Sequence, residues 1–400
     1  MSANNIRLFL LGNGIQASRP IVWIIGFFAF LNVYPIQAVL PMVMDDFRAS
    51  PLEAGLTVGA TVLAMGLVSP FMGMISDAFG RKTILCISMF ALTLPTALIP
   101  MVDGLTALIV LRFLQGLAVP GMVVVLIAYI SEEFVVGGVA RMTSTYVGGT
   151  VMGGFCGRFI SGHAGHLLGW RGAFVTLAIM NFLGAVLVLW LLPPSRHFVP
   201  NRKISAGMRT LWRHLHHKRL MAACAVGFCV LFSLVGTFTY VNLYLAAAPF
   251  HLSTAGLANV FTVYLVGVLV TPLAGRYIDR LGFMKSLLGA LALSATGLLV
   301  TLIPSLLLVV VGLTVCSTGV FICQSATIGA IAKSVTEGRS LATGIYYMSY
   351  YAGGAVGAWI AGLAYEGWGW SGSVLTIILA QILAAVIVAM VWHQPAKILY

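Results

Sequence analysis

The stretch Gly73-Met-Ile-Ser-Asp77-Ala-Phe-Gly80-Arg81-Lys82 decides the fold of this 400-residue chain. It closes one apolar segment and opens the next. Its two glycines and its carboxylate return at one constant offset, as Gly275, Asp279 and Gly282. Glycines permit close helix contact and a tight turn at such a loop. A short polar loop that recurs between apolar segments predicts a duplicated, helical protein.

The composition indicates a membrane protein. Hydrophobic residues make up 60% of the chain and charged residues 8%, and the mean hydropathy is +1.02. A soluble domain has about a quarter of its residues charged. The apolar runs here have about twenty residues, the length that a helix needs to cross a ~30 Å hydrocarbon layer. A spanning β-barrel would instead show alternating segments of about ten residues.

Twelve apolar segments predict an all-α fold with twelve transmembrane helices. The predicted spans are 21–42, 53–76, 83–102, 105–130, 141–164, 171–192, 220–245, 254–276, 284–303, 305–330, 340–363 and 371–392. A polar stretch separates the first six spans from the last six. The predicted parts are therefore an N-terminal six-helix bundle at 1–192, a cytoplasmic linker at 193–219 and a C-terminal six-helix bundle at 220–400.

The net charge of +12 is placed on one side of this topology. Of the 22 basic residues, 18 fall in the segments on that one side of the membrane. The exceptions are Arg48, Arg112, Arg158 and Arg171. Cytoplasmic loops of membrane proteins carry such an excess of Lys and Arg. The charge therefore predicts that both termini are cytoplasmic, and it gives no indication of nucleic-acid binding.

Further residues repeat between the two halves. Gly153-Gly154, Gly157 and Gly162 of span five return as Gly353-Gly354, Gly357 and Gly362, and Gly169-Trp170 returns as Gly369-Trp370. Duplicated bundles of this kind are typical of secondary transporters, in which substrate binds near the midplane between the repeats. Rocking of the two halves then gives alternating access.

The loop at 73–82 resembles the loop motif of the major facilitator superfamily, Gly-x-x-x-Asp-x-x-Gly-Arg/Lys-Arg/Lys. With the second copy at 275–282, the resemblance covers essentially the whole chain. It implies the superfamily fold of two six-helix bundles. It also implies that the motif residues latch the two halves in one state, namely Gly73, Asp77, Gly80, Arg81 and Lys82. A loop that only sets topology is the alternative.

The segment Leu111-Arg112-Phe-Leu-Gln115-Gly116 in span four resembles a second motif, found in many proton-coupled members of the superfamily. That resemblance implies a role for Arg112 in proton coupling. An arginine inside a span costs several kcal/mol unless it is paired or reaches the surface, so snorkelling to the outer surface is the alternative. No Asp or Glu lies in the middle of a predicted span, which leaves Asp45, Asp46 and His163 as further coupling candidates.

Span five, Gly149 to Arg158, resembles the superfamily's antiporter motif Gly-x-x-x-Gly-Pro-x-x-Gly-Gly, which is associated with export. The chain departs from it twice, with Gly154 in place of Pro and Arg158 in place of the final Gly. The repeat counterpart of Arg158 is Ala358, so the shared scaffold does not require an arginine there. Two arginines without an acidic partner in the spans predict a positive cavity for an anionic or acceptor-rich solute. Snorkelling of Arg158 from the helix end is the alternative.

A wall of tyrosine and amide side chains is predicted to bind the substrate. Such groups suit a cavity that holds partly apolar molecules with a few hydrogen bonds, although packing also uses tyrosine. The predicted binding residues, besides Arg158, are Asn32, Tyr34, Gln37, Tyr240, Asn242, Tyr244, Tyr347 and Tyr351.

Several stretches narrow the resemblance to the YnfM-type permeases of the twelve-span drug:proton antiporter group, among them Gln37-Ala-Val-Leu-Pro41 and Tyr240-Val-Asn-Leu-Tyr244. This implies a bacterial inner-membrane permease that exports small organic or drug-like compounds, with protons as the coupling ion. Uptake or exchange of an organic anion is the alternative. We expect a monomer in contact with membrane lipid.

Other classes of protein lack support in the sequence. An enzyme would need a clustered nucleophile, metal or acid–base set, and a Walker-type loop would indicate ATP-driven transport. Neither pattern is present, so we expect no catalytic activity, no cofactor and no bound metal.

Overall fold

The computed structural model describes residues 18–133, 136–195, 212–266, 270, 278, 280–334 and 339–392. The second copy of the loop motif at Gly275 and Asp279, and linker residues 196–211, lie outside these ranges. The main helices are α1 (Ser18–Leu31), α2 (Ile36–Phe47), α3 (Pro51–Phe79), α4 (Arg81–Leu98), α5 (Leu105–Glu133), α6 (Val136–Leu191), α7 (Lys218–Ala246), α8 (Thr254–Val260), α9 (Phe283–Val300), α10 (Leu306–Ser334) and α11 (Arg339–Trp392).

Nine stretches of the described residues are long and apolar enough to cross a membrane. Two of them, Arg141–Leu191 and Leu341–Val391, have 51 residues each, more than twice the ~20 that one crossing needs. Both break at a glycine with positive φ, 73° at Gly169 and 61° at Gly369, a conformation that glycine adopts without steric cost. Each is therefore two spans, and with the shorter apolar helix Thr254–Val266 the described helices fit the twelve predicted crossings.

The first predicted span is two helices rather than one. It was expected to run unbroken over 21–42, but the structure interrupts it at 32–35 and continues it to Phe47. Pro35 has no N–H to donate, and its ring crowds the carbonyl four residues earlier. Pro70 and Pro120 lie inside helices that continue. The interruption at Pro35 therefore needs further support from its surroundings, described with the site below.

The repeated glycines bring the same pairs of helices into close contact in each half. A Cβ on Gly153 would lie 2.0 Å from the carbonyl oxygen of Phe27, and one on Gly353 would lie 2.1 Å from that of Phe228. Gly157 meets the Leu31 carbonyl in the same way, and Gly357 meets that of Phe232. The first part of α6 therefore packs directly on α1 as α11 packs on α7, because these positions carry no side chain.

The two halves touch along α3 and the first part of α11. Gly59 faces Ala355 and Ala358, and Gly66 faces the Cβ of Tyr351. Large apolar side chains are exposed on many of the described helices, and Leu167, for example, is 79% exposed. A soluble protein rarely exposes large contiguous apolar patches, whereas a bilayer requires them. The fold is thus a membrane-embedded pair of helical bundles.

Candidate functional site

The interruption of the first span is held open by Arg112 of α5. Its Nη1 donates to the carbonyl of Asn32 at 2.8 Å, its Nη2 donates to the carbonyl of Val33, and its Nε donates to that of Thr57 at 3.2 Å. Backbone carbonyls freed by a helix break need partners inside a membrane, where water is absent. Arg112 supplies those donors, and it joins the break to α3 and α5.

Arg112 does not snorkel. Its side chain is 0% exposed, and Nη1 also donates to Oε1 of Gln115 at 2.6 Å. Gln115 in turn donates to the Thr96 hydroxyl at 2.7 Å. The alternative of a helix-end arginine that reaches the outer surface is therefore wrong, because the side chain is fully buried. The role of Arg112 in proton coupling stays a prediction.

A second polar chain leads away from the same break. The Asn32 amide donates to Oδ1 of Asn181 in α6 at 3.1 Å, and Asn181 donates to the hydroxyl of Thr93 in α4 at 2.6 Å. Asn181 and Thr93 were not predicted from the sequence. An amide in the middle of an apolar span was the available signal.

Arg158 lies at the junction of the two halves and is 3% exposed. Its Nε donates to Oε1 of Gln37 at 2.8 Å, and its Nη1 donates to the carbonyl of Gly154 at 2.7 Å. Gln37 also contacts the second half, where its amide donates to the Thr239 hydroxyl at 2.9 Å. The snorkelling alternative is wrong for this arginine as well.

Three aromatic rings surround the Arg158 guanidinium. Its carbon lies 4.5 Å from the ring centre of Tyr34, 4.7 Å from that of Tyr264 and 4.9 Å from that of Phe261. Rings at such distances attract a cation through their negative faces. Tyr34 belongs to the first half and the other two to the second, so the cation is shared between both.

Sequence analysis had found Tyr34, Gln37 and Arg158, but it missed Phe261 and Tyr264. These two lie in the predicted eighth span, in which no charged residue lies near them. Tyr264 has a further property. Its hydroxyl is buried and has no hydrogen-bond partner among the described residues, and Arg158 makes its hydrogen bonds there through Nε and Nη1. We call Arg158 with the rings of Tyr34, Phe261 and Tyr264 the cage. The Tyr264 hydroxyl is thus a hydrogen-bond donor without a described partner beside a buried guanidinium.

The tyrosines of α11 form stacked pairs. Tyr347 and Tyr351 stack with ring centres 5.9 Å apart, and Tyr346 and Tyr350 stack at 5.7 Å. The Tyr346 hydroxyl is buried without a partner among the described residues. These tyrosines of the predicted wall thus lie in contact along one helix, and their role in substrate binding stays a prediction.

The predicted binding residues of α7 are engaged in packing. The Tyr240 hydroxyl donates to the carbonyl of Ala358 at 2.5 Å and fits against Gly55 of the other half. Asn242 donates to the carbonyl of Phe238 in its own helix at 2.6 Å, and Tyr244 stacks on Trp370. None of these contacts brings the three side chains to Arg158.

The acidic and histidine candidates for proton coupling lie apart from both arginines. Asp46 accepts from Arg171 at 2.5 Å and from the Trp170 indole at 3.1 Å, in a half-exposed ion pair. Asp45 is exposed at the same helix end. The Nδ1 of His163 lies 2.9 Å from the Phe159 carbonyl, within its own helix. The structure does not bring any of them into contact with the cage.

The loop motif forms a network inside the first half. Arg81 pairs with Asp77 and with Glu132 of α5, each at 2.5 Å, and Lys82 donates to the Leu192 carbonyl at 2.5 Å. Gly80 makes the turn with φ 95°, and Gly73 has open space around it. A contact of this loop with the second half, which the latch prediction requires, stays a prediction.

Comparisons with known proteins extend over the whole fold. The model of the Major Facilitator Superfamily matches residues 22–259 and 245–398. The chain is 30% identical to the uncharacterized MFS-type transporter YybF of Bacillus subtilis, over 87% of each chain. It is 29% identical to the inner membrane transport protein YnfM of Escherichia coli, over 90% of this chain and 87% of that one.

The chain is also similar to a more distant relative and to a solved structure. The multidrug efflux protein YfmO of Bacillus subtilis is 24% identical over 88% of each chain. Among solved structures, a bacterial homologue of the human lysosomal transporter Spinster superposes with a TM-score of 0.77 at 14% identity, over 94% of this chain and 98% of that chain. At that identity the structural likeness concerns the fold.

Proposed function

Because the chain belongs to the major facilitator superfamily, we propose that it is a secondary active exporter of small organic compounds that works by alternating access. The relative YfmO, a multidrug efflux protein by name, supports export. The observation that carries the proposal is the position of Arg158, buried between the two halves in a cage of rings from both. A solute bound there touches both bundles and can respond to their movement.

The cage suits an aromatic, acceptor-rich compound. Arg158 and the hydroxyl of Tyr264 offer hydrogen-bond donors, and Tyr34 and Phe261 offer apolar ring surface. Such pockets fix orientation with a few polar groups and gain affinity from aromatic contact. Further along the junction, Tyr347 and Tyr351 extend the same kind of surface.

Alternating access requires the contacts between the halves to separate. Besides Gln37 with Thr239, these include Gly162, on which a Cβ would lie 2.4 Å from that of Ala258. By the predicted topology this junction is at the periplasmic end. Its opening releases Arg158 from Phe261 and Tyr264, and the substrate then leaves.

Proton exchange is the proposed driving force. A carboxylate or imidazole that is protonated on one side of the membrane and deprotonated on the other can drive transport. Asp45, Asp46 and His163 are the proposed groups, on the helices that carry Gln37 and Arg158. Arg112 is the fourth residue proposed to take part in coupling. The proposed location is the inner membrane with both termini in the cytoplasm.

Flux into and out of proteoliposomes tests the proposal. Compounds are first chosen by drug-susceptibility assays on cells that lack or overproduce the protein. We expect an imposed pH gradient to drive their accumulation, and Arg158→Gln to lower the flux at least ten-fold. Arg48→Gln, the same change at an exposed outer-loop arginine, is the matched control. Gradient-independent flux, or equal flux in the two variants, contradicts the proposal.

Transport of an organic anion is the second candidate. It is favoured by the partners of Arg112 and Arg158, since the hydrogen bonds of both in the described residues go to carbonyl or amide oxygens and none goes to a carboxylate. A membrane potential acts on such a solute with about 2.3 kcal/mol per charge per 100 mV. If flux of an organic acid follows an imposed potential while its neutral amide does not move, this candidate replaces export of neutral compounds.

A further inference from the structure

A groove of about 900 Å3 lies on the outside of the first half, away from the junction that holds Arg158. It runs between α4 and the second part of α6. Lys82 and Ser195 line one end, and the side chains of Ile87, Ala91 and Leu94 line its length. Phe90, which also lines it, packs edge-on against Phe182, so the two helices meet at its floor.

The apolar length of the groove opens towards the hydrocarbon of the bilayer. Ile87 is 57% exposed and Leu94 64% exposed, both on a helix that is a candidate span. From Lys82 to Leu94 the helix rises about 18 Å at 1.5 Å per residue. One leaflet of a ~30 Å hydrocarbon core has nearly the same depth. The groove therefore matches a chain that enters from one membrane surface and ends near the midplane.

The end of the groove at Lys82 and Ser195 is polar and positive. Lys82 donates to the Leu192 carbonyl, an uncharged partner, whereas neighbouring Arg81 is paired with Asp77 and Glu132. Helix α4 begins there without a side-chain cap, which leaves backbone N–H groups at its positive end. The Ser195 hydroxyl is buried and has no hydrogen-bond partner among the described residues.

We propose that this groove binds a phospholipid with an anionic headgroup. The phosphate lies against Lys82 and the start of α4, and one acyl chain lies along Ile87, Ala91 and Leu94. A peptide segment fits the groove less well, because a strand of backbone facing hydrocarbon would leave its N–H and C=O groups unsatisfied. The site is independent of the transported solute.

Native mass spectrometry of the purified full-length protein tests the headgroup contact. Phosphatidylglycerol and phosphatidylcholine with the same acyl chains are titrated separately. We expect Lys82→Gln to weaken phosphatidylglycerol binding about five-fold, the effect expected of one lysine near an anionic surface. We expect a smaller loss for phosphatidylcholine, because its choline cation offsets the charge of the phosphate. Lys285→Gln makes the same charge change in the first turn of α9, the corresponding helix of the second half, and we expect it to have no effect.

A second pair of variants tests the acyl-chain contact. Ala91→Trp fills the groove and should abolish the tightest bound lipid of either headgroup, whereas Ala292→Trp, at an exposed alanine of α9, should not. Thermal unfolding shows whether both variants remain folded. Equal loss of phosphatidylglycerol in Lys82→Gln and Lys285→Gln, or equal retention in Ala91→Trp and Ala292→Trp, would mean non-specific lipid contact and would overturn the proposal.

Discussion

The first and the second six-helix groups pack their repeated glycines alike but differ in the helix on which those glycines pack. In the first group, α1 ends at Leu31, and Arg112 takes up the carbonyls that follow. In the second group, α7 runs unbroken for 29 residues. Ser233, which follows Phe232 as Asn32 follows Leu31, donates to the Cys229 carbonyl of its own helix. The helix on which the repeated glycines pack is thus broken and supported by a buried cation in the first group, and unbroken in the second.

The amides of the sixth and twelfth spans show the same asymmetry. Asn181 donates to Thr93 in the first group, and Gln381 donates to Ser294 in the second at 2.9 Å. Asn181 also accepts from Asn32 at the break, where the second group has the serine just described. The shared amide–hydroxyl contact belongs to the scaffold. The extension to Asn32 belongs to the polar network around the break.

Removal of the guanidinium that supports the break should have the largest effect. Arg112→Ala leaves the buried carbonyls of Asn32, Val33 and Thr57 without their donor, and each unsatisfied buried group costs about 1–3 kcal/mol. We expect a loss of at least about 3 kcal/mol, seen as a lower midpoint of thermal unfolding in detergent and as reduced yield of folded protein.

The matched change in the same half is Arg48→Ala, at an exposed helix end. Surface substitutions of this kind alter stability by less than about 0.5 kcal/mol. If Arg112→Ala unfolds at the same temperature as Arg48→Ala, then the break is stable without its cation. In that case the buried cation, which distinguishes the first half, would not contribute to the stability of the protein.

The shared scaffold predicts equal effects in the two halves. A methyl group added at Gly153 or at Gly353 meets a backbone carbonyl at 2.0 or 2.1 Å, so the helices must move apart. Gly153→Ala and Gly353→Ala should each cost about 1–3 kcal/mol, as overpacking does. Gly289→Ala, with open space around it, is the control and should be neutral or stabilising. If Gly153→Ala and Gly353→Ala lose different amounts of stability, the helix packing at these two glycines is not equivalent.

The amide pair predicts an unequal effect. Asn181→Ala removes the hydrogen bonds to Asn32, Thr93 and the Met89 carbonyl, whereas Gln381→Ala removes the one to Ser294. At about 1 kcal/mol for each hydrogen bond, we expect a loss of about 2–3 kcal/mol against about 1 kcal/mol. Thermal unfolding of the two variants side by side measures this. Equal losses would mean that the hydrogen bonds of Asn181 with Asn32 and with the Met89 carbonyl contribute nothing to stability.

The spans, the repeat and the presence of two arginines inside spans could be predicted from the sequence. The length of an apolar run and a charge within it are local signals. Partners such as Thr57, Asn181 and Tyr264 were not predicted, since they depend on how each helix is rotated against its neighbours. The break at 32–35 was also missed. Proline is tolerated inside other helices of this chain, and what distinguishes Pro35 is the distant donor set of Arg112.

The smallest effect on stability is expected at the outer end of the first half. Asp46→Asn removes the charge from a half-exposed pair with Arg171 but keeps an oxygen for the Trp170 indole. Exposed ion pairs contribute about 0–1 kcal/mol, so the unfolding temperature should hardly change. The informative measurement is flux against pH in proteoliposomes. If Asp46 couples transport to protons, Asp46→Asn abolishes accumulation driven by a pH gradient in a protein as stable as the original. Undiminished accumulation would remove Asp46 from the proton path and leave Asp45, His163 and Arg112 as the candidates.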